Sequence, residues 1–462
     1  MNPAISEKTN ELVSISPVDG RYSNQLVELT PIVSEFGLMK QRVIVEIAWF
    51  KALAKSNDFM GLKNISETSR QFLWTIVNDF DMRDALKIKE IESVINHDVK
   101  AIEYFLKEKF KKSKELELSK EFLHFALTSE DVNNLAYGLI FVAMRNEILI
   151  PHLRNFRGQI KEMAVQWSAL PMLSRTHGQS ASPTTLGKEI ANIVARLDKC
   201  IETFKNIPIQ GKLNGAVGNF NAHKISDPTV DWIKLSQKVI ESLGLQTNFF
   251  TTQIEPHDCL AEYLHALIRI NTILIDFSRD FWGYISLNYF KQIQNSDEIG
   301  SSTMPHKINP IDFENAEGNL GIANALANHL AIKLPISRWQ RDLSDSTVLR
   351  NIGVIGAHSL LAYKSLFKGV LRLDVNENEI KLDLDKRWEV LAEAIQTVMR
   401  RHGLPQPYER LKTLTRGEHI DRSAIEQFIL SLDLPKTVLD QLSQLSPQTY
   451  FGFAEELVKQ LK

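Results

Sequence analysis

From Asp258 to Phe290 the apolar positions Leu260, Leu264, Leu267, Leu274, Phe277, Phe281 and Ile285 recur at steps of three, four or seven, with no proline among them. That spacing keeps them on one face of an α-helix. It predicts a single helix of about thirty residues, about 45–50 Å long at 1.5 Å per residue. A second helical pattern runs from Glu130 to about Trp167, where Pro151 is expected to bend it. A third begins after Gly187 with Ile190, Val194, Leu197 and Ile201, a fourth covers 313–330 and a fifth 346–371. Ordinary globular helices are about a third as long as the first of these. Several such rods side by side imply a long helical bundle.

Strand signals are few. The stretch Gly211 to Asn221 reads as a small hairpin or an irregular turn, with a glycine turn between two helices the simpler reading, and it lacks the Gly-Lys-Ser/Thr of a phosphate loop. Composition shifts twice, at a charged connector over 109–119 and at an acidic, polar linker over 373–385. Beyond Arg387 the helices are shorter and are broken at Gly403-Leu-Pro405, Leu434-Pro435 and Ser446-Pro447. The reading is an all-α chain with an N-terminal helical domain over 1–120, a central long-helix bundle over 121–372 and a C-terminal helical domain over 373–462.

The remaining bounds are broad. A chain of 462 residues exceeds one simple core, so two or three domains are expected. A formal net charge of −2 gives no reason to expect nucleic acid or a membrane surface as partner, so any anion site must be local. Cys200 and Cys259 are too few for a disulfide framework. The first residues carry no cleavable leader pattern, and no stretch of eighteen uninterrupted apolar residues occurs. Cytoplasmic residence is the expectation.

Four polar clusters interrupt the helical pattern, each at a predicted helix end or loop. The densest is Gly300-Ser-Ser-Thr-Met-Pro-His-Lys-Ile-Asn-Pro-Ile-Asp312, rich in hydroxyls and cations and poor in apolar anchors. It reads as a lid that closes on an anionic substrate. The others are Asn96-His97-Asp98, the run from Thr128 through Ser129 to Asn134, and Ser174-Arg175-Thr176-His177-Gly178-Gln179. Spread along the chain, they suit a composite site built from several bundle helices. The Thr128 cluster also fits a plain helix cap with acidic first-turn residues, and a helix start offers free N–H groups to an anion in either case. His97 beside Asp98 fits either a proton-handling or phosphate-donor pair or a surface pair at a helix cap. His177, in a polar glycine-bearing loop, suits general acid–base work near neutral pH. Ser346 and Arg350 lie four apart at a predicted helix start, with Arg338 and Arg341 upstream. A solvated helix start or a phosphate site both fit them. Metal-binding spacings and a nucleophile elbow are absent from the sequence.

The lid closely resembles the signature Gly-Ser-Ser-x-Met-Pro-x-Lys-x-Asn-Pro of the fumarase/aspartase superfamily. Thr128-Ser129-Glu130-Asp131 and Arg175-Thr176-His177-Gly178-Gln179 resemble its other two regions, in the right order. The resemblance extends from Ser16 to the C-terminal helices. His306, the segment from Ser16 to Tyr22 and Asn96-His97-Asp98 resemble the bacterial branch of the superfamily that cleaves adenylosuccinate.

That resemblance implies an all-α fold of three domains, whose central helices assemble from four subunits into a twenty-helix core. Each active site would draw on three subunits. The implied reaction removes fumarate from adenylosuccinate to give AMP, and from the succinylated carboxamide ribotide of purine synthesis. No cofactor or metal is implied; the partners are a nucleotide, fumarate and other copies of the chain. By resemblance Ser301 is the base, with Ser302 as the rival hydroxyl, and His177 is the acid. Glu314 orients His177, and Lys307 and Asn309 hold the succinyl carboxylates with Ser302, Thr128 and Ser129 assisting. Arg21, Tyr22, Arg341, Ser346, Thr347 and Arg350 hold the nucleotide, chiefly its phosphate. Asn96, His97, Asp98, Gln253 and Asn315 contact its other polar groups. Another lyase of the superfamily, or a non-catalytic relative that kept the fold, would share much of this sequence.

Overall fold

A computed structural model of the chain describes residues 11–62, 64–293, 304, 307–415 and 420–461. In chain order the elements that position the site are α1 (Glu35–Lys55), α2 (Met82–Ile95), α3 (Asp98–Phe110) and α4 (Ser129–Ala143). Then come α5 (Ile150–Gln166), the strands β1 (Pro171–Thr176) and β2 (Gln179–Thr185), and α6 (Leu186–Asn206). The long α7 (Asp258–Ser286) and α8 (Ile311–Lys333) follow, then the short α9 (Ser344–Leu349), α10 (Ile352–Leu371) and α11 (Glu377–Asp385). Helix dominates throughout the described residues, as the apolar periodicity requires.

The 29-residue α7 is the rod that the sequence predicts. The patterns that begin after Gly187 and over 313–330 are likewise single helices, α6 and α8, whereas the remaining two are divided. Between α4 and α5 the backbone passes through a π-helical segment, Met144–Leu149, just before Pro151. Pro151 has no N–H to give to the carbonyl four residues back, and its ring crowds that carbonyl, so the wider turn upstream absorbs the mismatch. The pattern over 346–371 is likewise two helices, α9 and α10, separated at Arg350 and Asn351.

Two further expectations need correction. The expected connector over 109–119 contains a helix, Lys114–Ser119. The expected linker over 373–385 is ordered too: Leu373–Val375 pairs antiparallel with Phe290–Gln292, and α11 follows, buried through Ile380 and Leu384 one turn apart. The stretch 211–221 is irregular and turned, as the simpler reading of it expects, with only Gln210–Gly211 in a short parallel pairing with Gln246–Thr247. An antiparallel hairpin that the sequence did not announce is β1–β2, joined by His177 and Gly178.

The chain forms two compact units. The first comprises 1–153, 200–272 and 318–362. Its core packs Val43, Trp49, Phe50 and Leu53 of α1 with Ile102 and Phe105 of α3 and Leu135 and Phe141 of α4, all essentially buried. The second comprises 154–199, 273–317 and 363–462. An aromatic run holds it together: Phe156 meets Phe277 at 5.2 Å between centroids, and Phe281 meets Phe290 at 5.1 Å and Phe313 at 5.9 Å. The shorter C-terminal helices close a separate cluster around Leu391, Ile395, Met399, Ile425 and Ile429. Each such side chain contributes about 1.5–3 kcal/mol when fully withdrawn from water.

Candidate active site

In the first unit, two of the four clusters, Asn96–Asp98 and Thr128–Asn134, join one network with the stretch from Arg341 to Arg350. α2 ends on Asn96, whose φ of 53° is the left-handed conformation common at helix C-termini. The next residue, His97, caps the start of α3, its Nδ1 accepting from the Lys100 N–H at 3.1 Å. In the neutral ring the proton therefore sits on Nε2, and His97 is half exposed. Asp98 meets Arg42 of α1 at 2.7 Å and Arg350 at 3.4 Å. Burial pushes the Asp98 carboxyl up, but the Arg42 charge and hydrogen bond and the Val99 N–H outweigh it and hold it below the usual carboxylate range. Arg350 is nearly half exposed and splits its guanidinium between Asp98 and Glu35, at 3.4 Å each.

From Arg42 the network runs inward. Arg42 Nε donates to Asn133 Oδ1 at 2.9 Å, and Asn133 donates to Glu130 at 2.9 Å. Arg341 Nη1 lies 3.1 Å from Glu130 Oε1, yet it is buried without a hydrogen-bond partner. Its other nitrogen lies 3.7 Å from Asp345, which His257 Nε2 approaches at 3.5 Å. Burial raises the Asp345 carboxyl, but His257, Arg341 and the Ser346 N–H together bring it below its ordinary value. Three guanidinium groups thus alternate with the carboxylates of Glu35, Asp98, Glu130 and Asp345. Part of their donor capacity is unused, which is the chemistry an oxyanion needs.

α4 starts on Thr128, with the Asp131 carboxylate accepting from the Thr128 N–H at 2.9 Å. The cap reading of this cluster therefore holds at Asp131. That carboxylate is fully buried, bound also by Lys212 at 2.9 Å and by the N–H groups of Asn214 and Gly215. Lys212 further donates to the carbonyl of Gln253, whose side chain donates to the carbonyl of Ala216. Thr128, Ser129, Ser346 and Gln253 are half-buried, Thr347 is exposed, Tyr22 is half-buried and Arg21 is exposed. Arg21 lies over the Tyr22 ring at 6.0 Å.

His177 belongs to the second unit. Thr176 pairs with Gln179, so His177 and Gly178 form a two-residue hairpin loop. Their φ values, 54° and 74°, are the positive pair that a type I′ turn requires. Asparagine suits the first position better than histidine, yet His177 occupies it with its side chain exposed. The ladder is irregular between Met172 and Ser174, opposite the region of Pro183, which has no N–H to give. Lys307 is exposed and Asn309 half-buried in irregular backbone that leads into α8, and the Ile308 carbonyl accepts from Gln292. Glu314, in the first turn of α8, accepts from Trp282 Nε1 at 3.1 Å; Asn315 beside it is half-buried. Ser301, Ser302 and His306 lie outside the described residues.

Sequence reasoning missed Arg42, Glu35, Lys212, His257 and Asp345. Arg42 carried one signal: it is a cation directly before the apolar stretch Val43-Ile44-Val45 of α1, and a buried arginine needs paired carboxylates. The others gave none, because their partners are 80 or more residues away or sit in ordinary polar surroundings.

Among known proteins, the family described as Lyase matches residues 20–324, and the one described as adenylosuccinate lyase C-terminal matches 337–451. An adenylosuccinate lyase of Haemophilus influenzae is 53% identical over 450 residues, 97% of this chain and 99% of that protein. One from Escherichia coli K12 is 51% identical over 453 residues, 98% and 99% of the two chains. Among solved structures, the 3-carboxy-cis,cis-muconate lactonizing enzyme of Pseudomonas putida superposes with a TM-score of 0.73 over 94% of this chain and 96% of its own, at 18% identity. That likeness speaks to the fold alone.

Proposed function

The chain belongs to the adenylosuccinate lyase family of the fumarase/aspartase superfamily, and from that premise we propose that it eliminates fumarate from adenylosuccinate to leave AMP. It is a lyase. The succinylated carboxamide ribotide is the second substrate, because the same succinyl–nitrogen bond is cleaved. The chain works in the cytoplasm as a homotetramer, with helical domains over 1–120, 121–372 and 373–462.

The reaction breaks a C–N bond after a proton leaves the carbon next to a carboxylate. The resulting carbanion spreads its charge into that carboxylate as an aci-dianion. A base, an acid for the leaving nitrogen and cations for the dianion are required. Ser301 takes the proton; its alkoxide needs stabilisation, which Lys307 supplies once water is excluded. Lys307 and Asn309, with Ser302, Thr128 and Ser129, hold the succinyl carboxylates. The electron pair of the C–N bond goes to nitrogen, which receives a proton from His177. Glu314 orients His177, Asn315 contacts the substrate, and the acid and base come from different subunits. Arg341, Arg350, Ser346 and Thr347, with Arg21 and Tyr22, take the phosphate, and Asn96, His97, Asp98 and Gln253 take the remaining nucleotide groups.

One observation carries the nucleotide side: Arg341 Nη1 is buried without a hydrogen-bond partner, in a network where Arg350 is held by two long contacts. A guanidinium left in that state gains more from a phosphate oxygen than a fully paired one would. Support for the tetramer comes from α8, which buries Phe313, Leu320 and Leu330 and yet exposes Ile311, Ile322 and Ile332. A helix apolar on more than one side needs a second surface to cover it.

Fumarate release from adenylosuccinate tests the reading. Ser301→Ala and His177→Ala should each lower kcat by about 10²–10⁴-fold while substrate binding persists. Near-normal turnover in Ser301→Ala would remove it as the base and leave Ser302 in its place. Fumarate from argininosuccinate but not from adenylosuccinate would sink the substrate assignment.

A further inference from the structure

Arg175 stands two residues before His177 on β1, and its guanidinium is not free. Nη1 donates to the Tyr289 hydroxyl at 2.9 Å, and Nη2 meets Asp383 Oδ2 at 2.5 Å. The same Asp383 oxygen accepts from the Tyr289 hydroxyl at 2.5 Å. Tyr289 is essentially buried, while Arg175 and Asp383 are about a quarter and a fifth exposed. The three residues come from three elements: Arg175 from the hairpin, Tyr289 from the segment entering Phe290–Gln292, and Asp383 from α11. All belong to the second unit.

Each member has only one state at working pH. Burial and the adjacent Asp383 carboxylate push the Tyr289 hydroxyl up to about 12, so it stays a donor. Burial raises the Asp383 carboxyl, but the Tyr289 and Arg175 hydrogen bonds bring it below its usual value, so it stays an acceptor. The triad therefore handles no proton. A further tie holds β2, where Ser182 donates to Glu393, which also accepts from Tyr450. Arg175 is the tie nearer the loop. His177 itself is exposed at a two-residue loop, so its place depends on how firmly β1 is held.

We propose that Arg175, Tyr289 and Asp383 are positioning residues for His177, fixing the hairpin that carries the proton donor to α11 and to the Tyr289 segment. The inference rests on the assignment of His177 as the acid. It also assigns a part in the reaction to α11, an element remote in sequence from the four polar clusters.

Proton delivery to the leaving nitrogen occurs only as the C–N bond breaks. Misplacing the donor should therefore lower kcat and spare KM. A displacement of about 1 Å can cost roughly 10²-fold. In Asp383→Asn, kcat should fall about 10- to 100-fold with KM within about twofold of wild type. In a His177→Ala background the same substitution should change kcat by less than about twofold, since there is no donor left to misplace. A purely structural role would instead multiply the two losses. Where Asp383→Asn does not fold, Tyr289→Phe removes both hydroxyl bonds without stranding a charge. It should lower kcat several-fold, again only when His177 is present.

Wild-type kcat in Asp383→Asn and Tyr289→Phe, or multiplied losses in the double variants, would overturn the inference and leave His177 as the acid. Undiminished turnover in His177→Ala alone would overturn both.

Discussion

His223 is fully buried, and neither ring nitrogen has a hydrogen-bond partner. Its ring sits among Trp232 at 5.2 Å, Phe220 at 5.3 Å and Trp49 at 5.8 Å. Burial pushes its pKa down to about 4; the charge of Asp131 opposes this and that of Lys212 assists it. In the unfolded chain the same ring titrates near 6.5. The folded value is the depressed one, so its contribution is intact above pH 6.5 and is lost as pH falls toward 4, where the unfolded chain binds a proton that the folded chain refuses. That costs about 3 kcal/mol across the window. His223→Phe keeps a ring in the cage and removes the titration. Its melting temperature should gain on wild type as pH drops from 7 to 4.5, whereas parallel curves in calorimetry would refute the account. Residue types could not separate such roles in advance. Asn96 and His97 read as ligand candidates, and their visible work is to end one helix and cap the next, because caps and ligands use the same short polar side chains. Asp98 was legible as a charged group, but its partner Arg42 lies 56 residues away and only the fold reveals it.

At the scale of elements, a helix is legible where its own apolar spacing decides it. The 29-residue α7 is an example, since no proline or glycine pair offers the backbone an alternative. The β1–β2 hairpin was not legible: its strands lack strict alternation, Pro183 lies within one of them, and the turn is His-Gly rather than Asn-Gly. Close backbone approaches were equally hidden. Gly187 opens α6 beside the end of α5, where a Cβ would lie 2.2 Å from the Ala164 carbonyl oxygen and 2.6 Å from the Ser168 nitrogen. Both atoms are backbone, so neither can swing aside. Gly187→Ala should therefore cost about 1–3 kcal/mol, as overpacking typically does, despite alanine's better helix propensity. Thermal unfolding would read this as a drop of several degrees. An unchanged or higher midpoint would mean that the two backbones are not held at that distance.

For the whole molecule, the decisive property is that no single copy is expected to complete a site. The length of α7 made a partnered bundle legible from sequence, and the apolar residues exposed on α8 agree with it; the number of copies came from the family resemblance. The proposed assembly puts the proton donor and the base of one site on different chains. Purified His177→Ala and Ser301→Ala proteins would then both be inactive alone. Mixed under conditions that let subunits exchange, they would form tetramers in which some sites receive intact His177 from the Ser301→Ala chain and intact Ser301 from the His177→Ala chain. With equal amounts and random exchange, about a quarter of the sites would be complete, so fumarate release should climb from near zero toward about a quarter of the wild-type rate. The recovery should follow the rate of exchange and be absent when the subunits are cross-linked beforehand. Light scattering on the same samples should give four times the 52.7 kDa chain mass. If both residues of a site came from one chain, every site would lack one of them in any mixture, and no exchange time would restore turnover.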